Sequence, residues 1–100
     1  MKELEDLTEL ERLVLLACCD ANRFSLSSHV QLEKITKRIV GVESKYIKKA
    51  IKLLLSNGFI RLDPVGRSRK TYQINKKGLV AATQIRDEIT ANQESTSTNT

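Results

Sequence analysis

The sequence predicts a mainly α-helical domain with a small β-hairpin, in the order α-α-α-β-β-α. Three observations support this fold class. Apolar positions at helical spacing fill three segments before residue 57, and these end at "DANRFSLSS", at Gly41 and at "SNG". β-Branched and aromatic residues then fill "FIRLD" and "TYQIN", with Pro64 and Gly66 supplying turn chemistry between them. The 100 residues, of which 40% are hydrophobic, suffice for one aliphatic core.

The first helix is expected to begin after Thr8, because Thr8 and Glu11 have the spacing of a capping box. The run "LVLLACC" is apolar without a break, so this helix is buried on more than one side. It is either the central helix of a small bundle or half of a subunit interface. The adjacent Cys18 and Cys19 suit neither a disulfide framework nor a zinc site, so they are expected in the core of a protein from a reducing compartment.

The second helix is expected after a connection that leaves room for a short extended piece over Phe24 to Leu26. Ser28 and Gln31 offer a second capping box at its start. Gly41 is expected to end this helix, as glycine does in a left-handed C-terminal cap. The apolar positions of the helix face are Leu32, Ile35 and Ile39.

The third helix, from Glu43 or Ser44 to Ser56, combines an apolar face with a row of lysines. At about 100° per residue, the lysines fall within an arc of about 100° and the apolar side chains fill the opposite arc. Like-charged pairs at i, i+4 repel by roughly a few tenths of a kcal/mol, so this lysine stripe suggests a negatively charged partner, with a solvated surface as the alternative. The stripe consists of Lys45, Lys48, Lys49 and Lys52, opposite Ile47, Ala50, Ile51 and Leu54.

The net charge of +5 conceals an uneven distribution along the chain. Residues 1–11 contain one lysine and five acids, whereas residues 34–77 contain thirteen Lys or Arg and two acids. A localised positive field of this kind suits nucleic acid, an anionic membrane surface or an acidic protein.

A second basic cluster, Arg67, Arg69 and Lys70, lies in the loop between the two expected strands. Such a loop can carry basic residues for solubility, or it can reach a minor groove, where arginine is favoured. Lys76 and Lys77 open the last helix, where the helix dipole disfavours cations unless a phosphate lies nearby.

Residues 1–89 are expected to form the domain, and residues 90–100 a disordered polar tail that cannot bury enough apolar surface to order itself. Asn75 is the expected N-cap of the last helix. No signal peptide or membrane-length apolar run is visible, so a cytoplasmic location is expected. One side of the last helix carries Leu79, Ala82, Ile85 and Ile89.

Two segments, "KITKRIVGVESKYIKKAIKLLLSNGFI" and "RSRKTYQINKKG", resemble the winged helix-turn-helix domain of DNA-binding proteins. The second is similar to the pattern R-K-x-Y-x-L-T-x-K-G of PadR- and MarR-type transcriptional regulators, here in a minimal, archaeal or viral-like version. The resemblance spans Leu10 to Ile89. It implies that Ser44 to Lys52 is the recognition helix in the major groove and that Asp63 to Thr71 is the wing on the adjacent minor groove.

The lysines suit phosphate contacts. The candidates for base readout, all near the helix start, are Ser44, Lys45, Tyr46, Lys48 and Lys49. His29 stands alone, with no metal cluster, nucleophile–base pair or phosphate loop, so neither an enzyme nor a cofactor is expected. The expected DNA-binding residues are Ser44, Lys45, Tyr46, Lys48, Lys49, Lys52, Arg67, Arg69 and Lys70.

The expected partners are double-stranded DNA and a second copy of the chain, because a two-fold DNA site calls for a homodimer. An effector is not implied. A non-sequence-specific architectural or RNA-binding protein and a protein-binding winged helix remain as alternatives. The residues that supply either a dimer interface or only the core are Leu4, Leu7, Leu15, Leu16, Val80, Ile85 and Ile89.

Overall fold

The computed structural model describes residues 1–62 and 71–98 of the chain. A 3₁₀ turn at Leu4–Asp6 precedes the first helix. The helices and strands are α1 (Glu9–Ala21), β1 (Val30–Gln31), α2 (Leu32–Thr36), α3 (Ser44–Ser56), β2 (Ile60–Leu62), β3 (Thr71–Ile74) and α4 (Lys76–Thr98). The strands form an antiparallel sheet with β3 in the middle. The predicted fold class is confirmed, with β1 as an additional strand.

Helix α1 is the central helix of the domain and packs against α2, α3 and α4. Its predicted capping box is present: the Glu11 N–H donates to the Thr8 hydroxyl at 3.2 Å, and the Thr8 N–H donates to the Glu11 carboxylate at 3.0 Å. At its other end, the N–H groups of Arg23 and Phe24 donate to carbonyls of the last turn, at 3.2 and 2.8 Å. Arg23 adopts φ 58° and Phe24 φ 55°, the left-handed region that ordinarily favours glycine.

The start of the second helix differs from the sequence prediction. Gln31 precedes α2 with an extended backbone and makes no side-chain capping bond, so the predicted Ser28–Gln31 capping box is wrong. Val30 instead pairs with Tyr72 in β1. The extended piece lies at β1 and not at residues 24–26. Strand pairing of Val30 and Gln31 with β3 outweighs the local preference for a capping box. Helix α2 ends at Thr36, and the left-handed Gly41 lies in the turn beyond it.

Helix α3 begins and ends where the sequence predicts. Glu43 is the N-cap residue by its backbone, without a side-chain capping bond. At the C-terminus, the Gly58 N–H donates to Leu55 O at 3.2 Å and the Phe59 N–H to Leu54 O at 3.0 Å, with Gly58 at φ 78°. These two bonds define a Schellman motif, in which Phe59 returns to pack beside Leu54 in the core.

Helix α4 starts against the end of α3. Asn75 immediately precedes α4, as predicted for its N-cap, and its carbonyl accepts the Leu79 N–H at 2.9 Å. Its side-chain amide also donates to Gly58 O at 3.0 Å, which ties the start of α4 to the end of α3. At Gly78, a Cβ atom would collide with the carbonyl of Phe59, so glycine is required for this approach. The helix continues to Thr98, past the boundary at residue 90 that composition predicts. The expected disorder of residues 90–100 stays a prediction.

The core is mainly aliphatic, with Phe59 and Tyr72 as its aromatic members, and contains both cysteines, as predicted. Cys18 and Cys19 are free thiols and fully buried. Burial raises the pKa of Cys18 to about 12, and burial with the neighbouring Cys18 and Asp20 raises the pKa of Cys19 further. Both thiols therefore stay protonated and pack as small apolar groups.

Candidate nucleic-acid interface

The lysine stripe lies exposed along one side of α3. All four lysines are exposed, while Ile47, Ile51 and Leu54 on the opposite side are no more than 2% exposed. At about 1.5 Å per residue, the stripe spans about 10 Å of helix. The amphipathic arrangement that the sequence predicts is confirmed: a buried apolar face anchors α3, and the ammonium groups project from its other side.

The start of α3 carries the remaining predicted helix contacts. Ser44, the first residue of α3, is exposed, in a turn whose N–H groups favour an anion. Tyr46 is half exposed, with the Lys45 amine 5.0 Å from its ring centre. The Glu43 carboxylate lies 3.5 Å from the Lys45 amine, so one acid adjoins the stripe. Because both side chains are exposed, this ion pair holds Lys45 only weakly.

Helix α2 and its following turn add a second basic row that the sequence analysis did not assign. Lys34, Lys37 and Arg38 are all exposed. The segment "KITKR" already showed these three basic residues in the sequence. A role for them follows only if α2 is the first of the paired helices, which crosses the DNA backbone in helix-turn-helix complexes.

The predicted wing residues Arg67, Arg69 and Lys70 lie outside the described residues. The base of the hairpin is described, and Arg61 organises it. Its guanidinium donates to the Gln73 amide oxygen at 3.2 Å, to the Asn75 amide oxygen at 2.8 Å and to Leu26 O at 3.4 Å. Arg61 therefore fixes the hairpin against the connection after α1.

The sequence suggested a nearby phosphate for Lys77, but the structure gives its amine partners within the protein instead. Its amine donates to Lys2 O at 2.7 Å and to Asn57 O at 2.9 Å, and lies 4.5 Å from the Phe59 ring centre. Lys76, one residue earlier, is exposed. The two lysines at the start of α4 thus have different environments.

The acidic start of the chain borders the stripe on one side. A groove of about 230 Å³ separates the first turns of α1 from α3, and its lining includes Glu11, Tyr46 and Lys49. A polyanion that approaches α3 would be repelled on the side of Glu11 and attracted towards the lysine stripe.

The residues predicted for a dimer interface fall into three groups by exposure. Leu7, Leu15 and Ile85 are buried in the core of the single chain. Leu4 and Leu16 are partly buried, and Val80 and Ile89 are exposed. Ile89 is 43% exposed, and Leu13, which was not among the predicted interface residues, is 45% exposed. They line a groove of about 330 Å³ between α1 and α4, which also includes Glu9, Arg12, Leu16, Ile85, Glu88 and Asn92.

Within residues 1–62 and 71–98, no three metal-ligating side chains gather. His29 is exposed on the connection before β1. No helix in the same part of the chain is long and apolar enough to cross a membrane.

One comparison with known proteins shows the fold. No family model and no curated protein matches the sequence. The structure is similar to the crystal structure of SSV1 F-93, with a TM-score of 0.68 at 17% sequence identity. The similarity covers 89% of this chain and 94% of the other. The chain has the winged-helix fold. At this identity, the likeness concerns architecture, and the site residues must be argued from this chain.

Proposed function

We propose that the protein is a DNA-binding transcriptional regulator, similar to minimal PadR- or MarR-type regulators, with α3 as the recognition helix. The carrying observation is the lysine stripe: four exposed ammonium groups on a helix whose other face is anchored in the core. A helix held in this way presents its charges in a fixed arrangement, as insertion into a major groove requires.

The residues of α3 divide by position along the helix. Lys48, Lys49 and Lys52 are assigned to phosphates, where flexible point charges set affinity and register. Ser44, Lys45 and Tyr46, in the first turn, are assigned to base edges or the nearest phosphate. The exposed basic residues of α2 and its following turn are assigned to the flanking DNA backbone, as the first helix of the pair in a helix-turn-helix. The wing residues Arg67, Arg69 and Lys70 are assigned to the adjacent minor groove.

The proposal includes a homodimer formed through the groove between α1 and α4. An interface around a two-fold axis must be self-complementary. This groove fits that requirement, because exposed Leu13 and Ile89 are flanked by Arg12 and by the acids Glu9 and Glu88. Each copy can therefore offer both an apolar centre and charges of both signs to its partner.

The oligomeric state can be tested by measuring the mass of the protein in solution. The Leu13→Glu variant is expected to dissociate the dimer, because the carboxylate would enter the apolar centre of the interface. Val80→Glu is the matched control, since Val80 is also exposed but lies outside this groove. A monomeric wild type contradicts the proposed dimer. Dissociation by Val80→Glu alone would move the interface to the other side of α4.

The function itself can be tested by selecting bound sequences from a random duplex pool and then competing with random duplex. A specific regulator is expected to prefer its selected site by roughly 10³-fold or more. A much smaller preference favours an architectural or RNA-binding role. Failure to bind any duplex at low salt contradicts DNA binding and favours an acidic protein partner.

Catalysis is not part of the proposal. A cytoplasmic location is part of it, since the free thiols Cys18 and Cys19 suit a reducing compartment and DNA is the proposed partner.

A further inference from the structure

The first seven residues, here called the N-terminal strap, are bound to the C-terminal end of α3. The Lys2 N–H donates to the side-chain oxygen of Asn57 at 2.8 Å. The amide nitrogen of the same Asn57 side chain donates to Leu53 O, also at 2.8 Å. Asn57 therefore bridges the strap and the last turn of the proposed recognition helix.

Lys77 joins a third segment to this contact. Its amine donates to a carbonyl of the strap, Lys2 O, and to a carbonyl at the end of α3, Asn57 O. It also lies 3.8 Å from the Glu3 carboxylate. A cation that binds the last carbonyls of a helix stabilises that helix end. This explains a lysine in the first turn of α4: it serves the C-terminus of α3 and not the helix that contains it.

The other end of the strap is fixed to α1. The Arg12 guanidinium donates to Leu4 O at 3.2 Å and to Leu7 O at 3.4 Å. The Leu7 side chain is buried in the core. The strap thus runs from α1 to the junction of α3 and α4 and is held at both ends.

We infer that Lys77 and the N-terminal strap position the recognition helix for DNA without touching the DNA. The inference rests on the proposed function. These contacts tie the C-terminal end of α3 to α1 and α4. They thereby fix the orientation of α3 relative to these two helices. Lys77 is therefore a positioning residue, and the stripe depends on it through the orientation of α3.

Charge alone predicts the opposite effect for the strap, which makes the inference testable. Residues 2–6 contain one lysine and three acids, a net charge of −2. If the strap acted only through its charge, removing it would strengthen binding to a polyanion. If it positions α3, removing it weakens binding in spite of the more favourable net charge.

The first experiment compares the dissociation constants of the full chain and a variant lacking residues 2–6 for the selected duplex. Binding is expected to weaken by about fivefold, the low end of measured couplings between linked sites. Glu5→Gln is the control, because Glu5 is an exposed acid of the strap whose loss is expected to leave binding unchanged or slightly tighter. Tighter binding by the shortened variant would overturn the inference.

The second experiment compares Lys77→Gln with Lys76→Gln, two substitutions that remove the same charge at neighbouring positions. Lys77→Gln is expected to weaken binding by about fivefold while keeping the wild-type dependence on salt. Lys76→Gln is expected to stay close to wild type in affinity, and Lys77→Arg to recover part of the affinity. If Lys77→Gln lowers the log–log salt slope by about 0.9, Lys77 contacts a phosphate and the inference is wrong.

Amide hydrogen exchange separates the strap from DNA binding. In the free protein, Lys77→Gln and the shortened variant are expected to accelerate exchange at Gly58 and Phe59, with α1 core amides such as Leu15 unchanged. Unchanged exchange at Gly58 and Phe59 would refute the role of the strap. Global acceleration would show a general loss of folding and would likewise refute it. A wild type that binds no duplex refutes the proposed function, whatever the exchange shows.

Discussion

Replacing Lys48 and Lys49 by alanine tests the proposed interface most directly. Both side chains are exposed and lie on the stripe. Removing one lysine–phosphate contact lowers the slope of log K against log salt by about 0.9. Removing two therefore lowers it by about 1.8, and over a fourfold rise in salt, for example from 50 to 200 mM, the affinity of the wild type should fall by about 12-fold more than that of the variant.

The measurement is a set of dissociation constants at four or more salt concentrations on one duplex, with Lys76→Ala as a control lysine outside the stripe. The melting temperature of the double variant should stay at or slightly above that of wild type. Alanine is a good helix former, and two like-charged pairs are relieved. A slope equal to that of wild type in a folded variant would show that the DNA lies elsewhere on the protein.

Three further predictions concern stability. Gly78→Ala should destabilise the domain by about 2 kcal/mol or more in denaturant unfolding, because the added methyl group meets the Phe59 carbonyl; an unchanged midpoint would contradict this close approach. Arg23→Gly should stabilise it by about 0.5 kcal/mol, since the relief of the left-handed φ of 58° exceeds the entropy that glycine costs; equal stability would indicate a relaxed backbone there. Burial raises the pKa of Cys18 to about 12, so stability should hold below about pH 8 and fall as pH rises from about 9 towards 12, where only the unfolded chain loses the proton. Rapid labelling of folded protein by a thiol reagent at pH 8 would contradict this burial.

Helix α3 could be predicted from the sequence because every signal for it is local. The helical spacing of Ile47, Ile51 and Leu54 sets the buried face, and Gly58 supplies the left-handed residue of the cap. The lysines are then exposed by geometry alone. The same holds for the start of α1, where the two partners of the capping box are three residues apart.

Features that depend on distant partners were not predictable in this way. The capping pattern at Ser28 and Gln31 was genuine in spacing, but β3, some forty residues later, pairs with the segment as a strand. Lys77 similarly lies in the first turn of α4, where the helix dipole disfavours a cation. Its contact with Asn57 O, at the end of α3, can be seen only in the folded chain. The basic residues Lys34, Lys37 and Arg38 were visible as charge in the sequence, but their exposure became known only with the structure.

The approach of α4 to α3 at Gly78 has a consequence for how two copies would read one DNA. Because Gly78 has no side chain, the Phe59 carbonyl packs directly against the first turn of α4. Helices α3 and α4 are therefore expected to move together. In the proposed dimer, joined through α1 and α4, the distance between the two α3 helices would therefore be set by the dimer interface and by the packing of α3 on these helices. The wings would not set it. If that dimer binds two DNA half-sites, their centre-to-centre spacing would be set by the packing of α1 and α4.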